Sequence, residues 1–390
     1  MSSWYILSLS PFHCSILIAI LSTSLFYNYY RIQEITIPVE INPTDGVVST
    51  LINVQINEFS TPTTLRIGLD TGISMSWFLD TTCQVHTSIV NSQLRRKLLV
   101  KSVETRHTTV AQVAIPLPLN DTFKKLNIKY ADGTLVQGVF VPNVSWHFKK
   151  SNQPIPTKHF LSWGAATSIS ETVQYEKDDS RFEQSNVDGW LGLGISTSNY
   201  PNSYAFIASN TKSSKSWSMT FQLQRFPYSV VFRTLGFITS TTNDIQIQTN
   251  DAHWSLDVTK VIINGCDATE NKYKVLLDVG AGSIFTPTNI VPKSCWDNAN
   301  KKEDYDNNDA KSKTFNMTFV LENGKTVSVS HLQKNISYHQ TLRIKKTRQN
   351  SSTGNQKPLT IVLGLPFFMR QKVTLTRRLE QNALLYYANL

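Results

Sequence analysis

The sequence predicts a mainly β protein built from two related halves, and three observations carry that prediction. Short runs rich in branched and aromatic residues recur along the chain between turn residues, while helical periodicity is scarce. One apolar run ends in Asp70-Thr71-Gly72, and another far downstream ends in Asp278-Val279-Gly280. Each turn is followed later by an apolar-Gly segment, Leu191-Gly192 after the first and Leu363-Gly364 after the second, so the chain repeats its own grammar.

At 390 residues the chain is long enough for two lobes with a substantial core. Its composition, 40% hydrophobic and 17% charged without low-complexity runs, is that of a globular protein. The net charge of +10 comes from small scattered basic pairs such as Lys124-Lys125, Lys149-Lys150 and Lys301-Lys302. Scattered pairs make a solvated surface, so no nucleic-acid partner is expected. The eight His and the cysteines show no close ligand spacing, so neither a metal nor another cofactor is expected.

Residues 1–30 contain an almost wholly apolar or small stretch, Ser15 to Tyr27, that reads as a signal peptide or a membrane anchor. A short segment, 31–46, follows, and residues 47–238 and 239–390 form the two expected lobes. Entry into the secretory pathway would make Asn-Xaa-Ser/Thr acceptors of Asn120, Asn143, Asn316, Asn335 and Asn350. In an oxidising compartment one disulfide is expected, Cys266 with Cys295, because these residues bracket one strand-turn unit; Cys83 then keeps its thiol.

Taken in order, Val47 to Ile56 and Leu65 to Leu69 read as a hairpin feeding Asp70, with Leu65, Ile67 and Leu69 at the period of a half-buried strand. Gly72 permits the sharp turn that leaves Asp70 at the strand end. Gln93 to Val103 is the best local candidate for a short helix. Leu126 to Phe140 is two β-prone runs joined through Asp132-Gly133, a hairpin signal that puts Tyr130 beside the tip. Asp188-Gly189-Trp190-Leu191-Gly192-Leu193-Gly194 alternates apolar residues with glycines, as where a backbone passes close to other segments. Trp217 to Phe226, Val230 to Thr239, Trp254 to Ile263 and Tyr273 to Leu277 each read as a strand. Thr360 to Phe368 closes the second apolar-Gly repeat.

These paired elements resemble the pepsin-like aspartic proteases, from about Val47 to the C-terminus. Asp70-Thr71-Gly72 with Ser74 and Trp77 is similar to the family's first catalytic turn and its following tryptophan. Tyr130-Ala131-Asp132-Gly133-Thr134 is similar to the flap, Asp188 to Gly194 to the family's Asp-Gly-apolar-Leu-Gly-Leu-Gly segment, and Asp278-Val279-Gly280 occupies the second turn. The resemblance implies a bilobal fold with a cleft between pseudo-symmetric β lobes and a catalytic pair, Asp70 and Asp278. Thr71, Gly72, Val279 and Gly280 would shape the two turns. Tyr130, Asp132, Gly133 and Thr134 would form the flap, with Trp77 beneath it.

The implied chemistry needs both aspartates. Two carboxylates about 3 Å apart do not both ionise easily, so at acid pH they share a proton. The ionised one takes a proton from water while the other donates to the peptide carbonyl oxygen. The expected function is therefore an aspartic endopeptidase, monomeric, secreted or membrane-tethered, acting on peptide or protein substrates. Three departures from the family pattern set the alternative. Val279 stands where the second turn normally carries Thr, Ala281 where it carries Ser or Thr, and Ile73 where Ser is common after the first turn. Only Arg31 is basic between Ser24 and Val47, so no basic prosegment is recognised. A catalytically impaired binding protein that keeps the peptide cleft is the second expectation.

Overall fold

The computed structural model describes residues 34–42, 46–55, 62–89, 99–104, 123–130, 134–149, 161–173, 187–195, 216–234, 244–247, 253–268, 273–282, 284–287, 290, 315–331, 344–347, 359–380 and 383–390. These residues are mainly β, arranged in three sheets, with a single turn of α-helix at Leu365–Phe368. Pro366 sits in that helix's first turn, where its missing N–H costs nothing.

The expected first hairpin is present. Val48–Gln55 pairs antiparallel with Thr63–Asp70, Ser49 opposite Gly68 and Val54 opposite Thr63. Leu65, Ile67 and Leu69 are buried, as their alternation predicts. This pair belongs to a nine-stranded sheet that also contains Gly189–Gly192, Trp77–Ile89, Leu161–Val173, Leu135–Phe148 and Lys125–Lys129. Val48–Gln55 pairs a second time, with the far part of Leu135–Phe148, so the sheet closes on itself and leaves fewer open edges. Segment 99–103, expected as the end of a helix, falls instead in a strand, Leu99–Glu104, antiparallel to Gln84–Ile89. Val100 and Val103 are β-branched, and a long neighbouring strand supplies the ladder that a local helical reading ignores. Residues 93–98 of that expected helix lie outside the described residues.

An eight-stranded sheet repeats the theme downstream. Ser255–Ile263 pairs antiparallel with Tyr273–Leu277, which pairs in parallel with Leu359–Leu363. Ile284–Pro287 then runs antiparallel to Leu359–Leu363. In the first half Thr63–Asp70 is likewise parallel to Gly189–Gly192, which is antiparallel to Trp77–Ile89. Hairpin, turn, departing strand and returning apolar-Gly strand therefore recur in the same relation, the physical content of the repeat seen in the sequence.

A six-stranded sheet draws on both halves and on the N-terminal strand: Glu34–Pro38, Ser229–Thr234, Trp217–Gln222, Val373–Glu380, Ala383–Asn389 and Ile245–Ile247. Its apolar face joins a hydrophobic core continuous with the other two sheets, including Trp217 against Trp254 and Phe221 against Phe368, both edge-on. A second core lies under the Lys125–Lys129 hairpin, formed by Trp77, Leu126, Ile128, Val136 and Trp190 among others, with Tyr130 packed at its rim. Cys266 is disulfide-bonded; Cys295, its expected partner, lies outside the described residues, as does Ser15 to Tyr27. Among the described residues no helix is long and apolar enough to cross a membrane.

Candidate functional site

Parallel ladders deliver the two aspartates to one place. Asp70 is the last residue of its strand, level with Gly192 of the neighbouring strand, and Leu193 N–H donates to Asp70 O at 2.7 Å. In the second half Leu277 is level with Leu363, and Asp278 N–H donates to Leu363 O at 3.1 Å. The chain then turns at once in both cases. Gly72 N–H donates to Asp70 Oδ1 at 2.7 Å, and Gly280 N–H donates to Asp278 Oδ1 at 2.9 Å, the same two-residue carboxylate turn twice.

The turns face each other so closely that each glycine lies under the other turn's carboxylate. A methyl built on Gly72 would sit 2.8 Å from Asp278 Oδ2, and one built on Gly280 would sit 2.6 Å from Asp70 Cγ. No side chain fits at either position without displacing a carboxylate. Asp70 is only 2% exposed and Asp278 is half-buried.

The brace between the turns is one-sided. Thr71 Oγ1 donates to Leu277 O at 2.8 Å and accepts from Val279 N–H at 2.9 Å, both within buried surroundings. Val279 is fully buried and has no hydroxyl to return the bond, and Ala281 is buried beside it. Leu365 N–H closes the second turn on Ala281 O at 2.7 Å.

The hairpin of Lys125–Lys129 and Leu135–Phe148, closed by Tyr130 N–H donating to Thr134 O at 2.8 Å, shares a core with Ile73 and Met75 beyond the first turn. Trp77 Nε1–H donates to Tyr130 OH at 3.0 Å, so an indole buried in the core holds the phenol at the hairpin's end. Asp132 and Gly133, the expected tip, lie outside the described residues. Thr134 is buried.

The supporting roles of two residues escaped the sequence reading. Ser76 is buried, and its Oγ accepts from Gly192 N–H at 3.0 Å while its carbonyl accepts from Gly164 N–H. A serine before a tryptophan carries no local signal of that role. Asp188 is buried, and its Oδ2 accepts from Arg66 N–H at 2.8 Å. Its own N–H donates to Arg66 O, and its carbonyl accepts from Leu79 N–H. Asp188 thus ties together the strands that carry Asp70, Trp77 and Gly192. Burial pushes its carboxyl above the ordinary range, opposed by the Arg66 backbone bond and guanidinium. An acid inside an otherwise apolar run was the visible hint.

Among the described residues no group of three or more His, Cys, Asp or Glu could hold a metal ion. Comparison of the chain with protein-family models and with curated proteins finds no match.

Proposed function

We propose that the protein is an aspartic endopeptidase of pepsin-like, bilobal architecture, with lobes at about 47–238 and 239–390 and a peptide cleft between them. One observation carries the reading: each of the two carboxylates lies against the glycine of the opposite turn. Asp70 and Asp278 would hold one proton between them and activate a water for attack on the scissile carbonyl, with no covalent intermediate. Tyr130 and Trp77 would order the flap over an extended substrate and exclude solvent. Under this reading the substrate is a peptide or protein, no cofactor takes part, the protein acts as a monomer in the secretory pathway, and Ser15 to Tyr27 delivers or anchors it.

The test is cleavage of a denatured protein at acid pH by the purified chain. Activity should fall to background with pepstatin and in Asp278→Asn. Cleavage indifferent to both would overturn the proposal. A cleft that binds without cutting is the second reading, favoured by the apolar Val279 and Ala281 buried at the second turn. It predicts an inert wild type that gains cleavage on restoring Thr at both positions, and brisk wild-type turnover would end it.

A further inference from the structure

We infer that Asn316 carries an N-linked oligosaccharide, and that this glycan shields the Thr326–His331 edge of the eight-stranded sheet. The asparagine of the acceptor motif Asn316-Met317-Thr318 is exposed. It lies in the strand Phe315–Leu321, with Met317 pointing into the core and Asn316 and Thr318 on the outer face. Asn316 is anchored by its main chain: its N–H donates to Asn264 Oδ1 at 2.9 Å, and its carbonyl accepts from Asn264 N–H at 2.8 Å. The carboxamide is left on the open face, two residues from the half-buried Thr318, whose hydroxyl meets Ser328 Oγ at 3.1 Å.

The neighbouring strand explains what a glycan would do there. Thr326–His331 ends the sheet among the described residues, and it pairs with Phe315–Leu321 in unbroken register, Ser330 level with Asn316. Its sequence, Thr-Val-Ser-Val-Ser-His, contains no Pro, Lys, Arg, Asp or Glu, and no bulge interrupts its ladder. Proteins normally blunt such an edge by those means, because outward amides and carbonyls template pairing with another chain; here Gln371 Nε2–H donates to Ser328 O at 3.2 Å and caps one carbonyl of the strand. An oligosaccharide rooted one strand away covers the edge by bulk and hydration.

The transfer is redox-neutral. Asn316 Nδ2 attacks the anomeric carbon of a polyprenyl-diphosphate-linked oligosaccharide, forming the C–N bond as the C–O bond to diphosphate breaks. One amide proton leaves to the transferase's base. This inference rests on the secretory reading and not on peptide cleavage.

The full chain, translated with ER-derived vesicles, tests it. Peptide mapping after amidase deglycosylation should find aspartate at 316 in the wild type and in Thr318→Ser, but intact asparagine in Thr318→Ala. A chain inside the vesicles with Asn316 bare overturns the assignment alone. A chain that never enters them overturns it together with the secretory reading. Enzymatic deglycosylation of the folded protein should raise light scattering through edge pairing. Unchanged association would refute the shielding role, and binding of an unrelated strand to the fully glycosylated edge would make that edge a docking site instead.

Discussion

Replacing Thr71 by Val changes one hydroxyl for one methyl at nearly constant volume, so packing is almost untouched. The lost group serves two buried partners, Leu277 O at 2.8 Å and Val279 N–H at 2.9 Å. An orphaned buried donor or acceptor costs about 1–3 kcal/mol, and with partial relaxation the pair should cost about 2–4 kcal/mol. Because Val279 offers no reciprocal hydroxyl, nothing equivalent remains to hold one turn against the other. A shift of about 1 Å between reacting groups costs on the order of 100-fold in rate, so kcat should drop more than stability alone predicts. Urea unfolding gives the first quantity and cleavage of a denatured protein the second. Thr71→Ser keeps both hydrogen bonds and should stay near wild type in each assay. A Thr71→Val protein with wild-type unfolding midpoint and wild-type kcat would refute the reasoning.

The remaining predictions follow from single contacts. Gly280→Ala would press a methyl against Asp70 and should abolish cleavage while leaving most of the fold intact by circular dichroism. Trp77→Phe removes the donor to Tyr130 OH, a bond worth about 1 kcal/mol, and should raise the KM of the proposed cleavage about fivefold by loosening the Tyr130 hairpin, with kcat less affected. Asp188 is an acid whose folded pKa is raised above its ordinary value of 3.8, chiefly by burial. Its contribution to stability is fully present below that ordinary value and is lost as pH rises through the folded pKa. The wild type should therefore lose stability relative to Asp188→Asn across that window, measured as unfolding midpoint against pH; a constant difference would count against it. The thiol of Cys83 is pushed up to about 12 by burial and the nearby Asp80 charge. It should resist alkylation at pH 8 in the native protein and react readily in urea, and fast native labelling would contradict this.

Local pattern and long-range pairing were not equally legible in the sequence. Tyr273–Leu277 matches the expected strand residue for residue, and the first hairpin differs by one or two residues at its ends, because alternation and turn residues are local signals. Leu99–Glu104 was misread for the converse reason: its strand state is conferred by Trp77–Ile89, a partner that no local window contains. The two aspartates and the crossing glycines were readable as a repeated turn. That Gly189–Gly192 runs parallel beside Asp70's strand was not readable, since a four-residue run does not name its neighbour. Ser76 and Asp188 were invisible as clamps because their partners are backbone amides, 192 and 66, which every residue possesses.

The missing hydroxyl at position 279 then takes on a bounded meaning. The heights of Asp70 and Asp278 are set first by parallel ladders, Gly192 level with Asp70 and Leu363 level with Leu277, and these use main-chain atoms alone. Only the approach of one turn to the other depends on side-chain hydroxyls, and Thr71 supplies both bonds of one half of that brace. A side chain at 279 that merely fills its buried site therefore leaves both carboxylates at the correct level and facing the opposite glycine. Val279→Thr should accordingly change kcat and unfolding midpoint far less than Thr71→Val does, although the two residues occupy equivalent places in the repeat. Equal and opposite effects at the two positions would mean that the hydroxyls, and not the ladders, set the geometry.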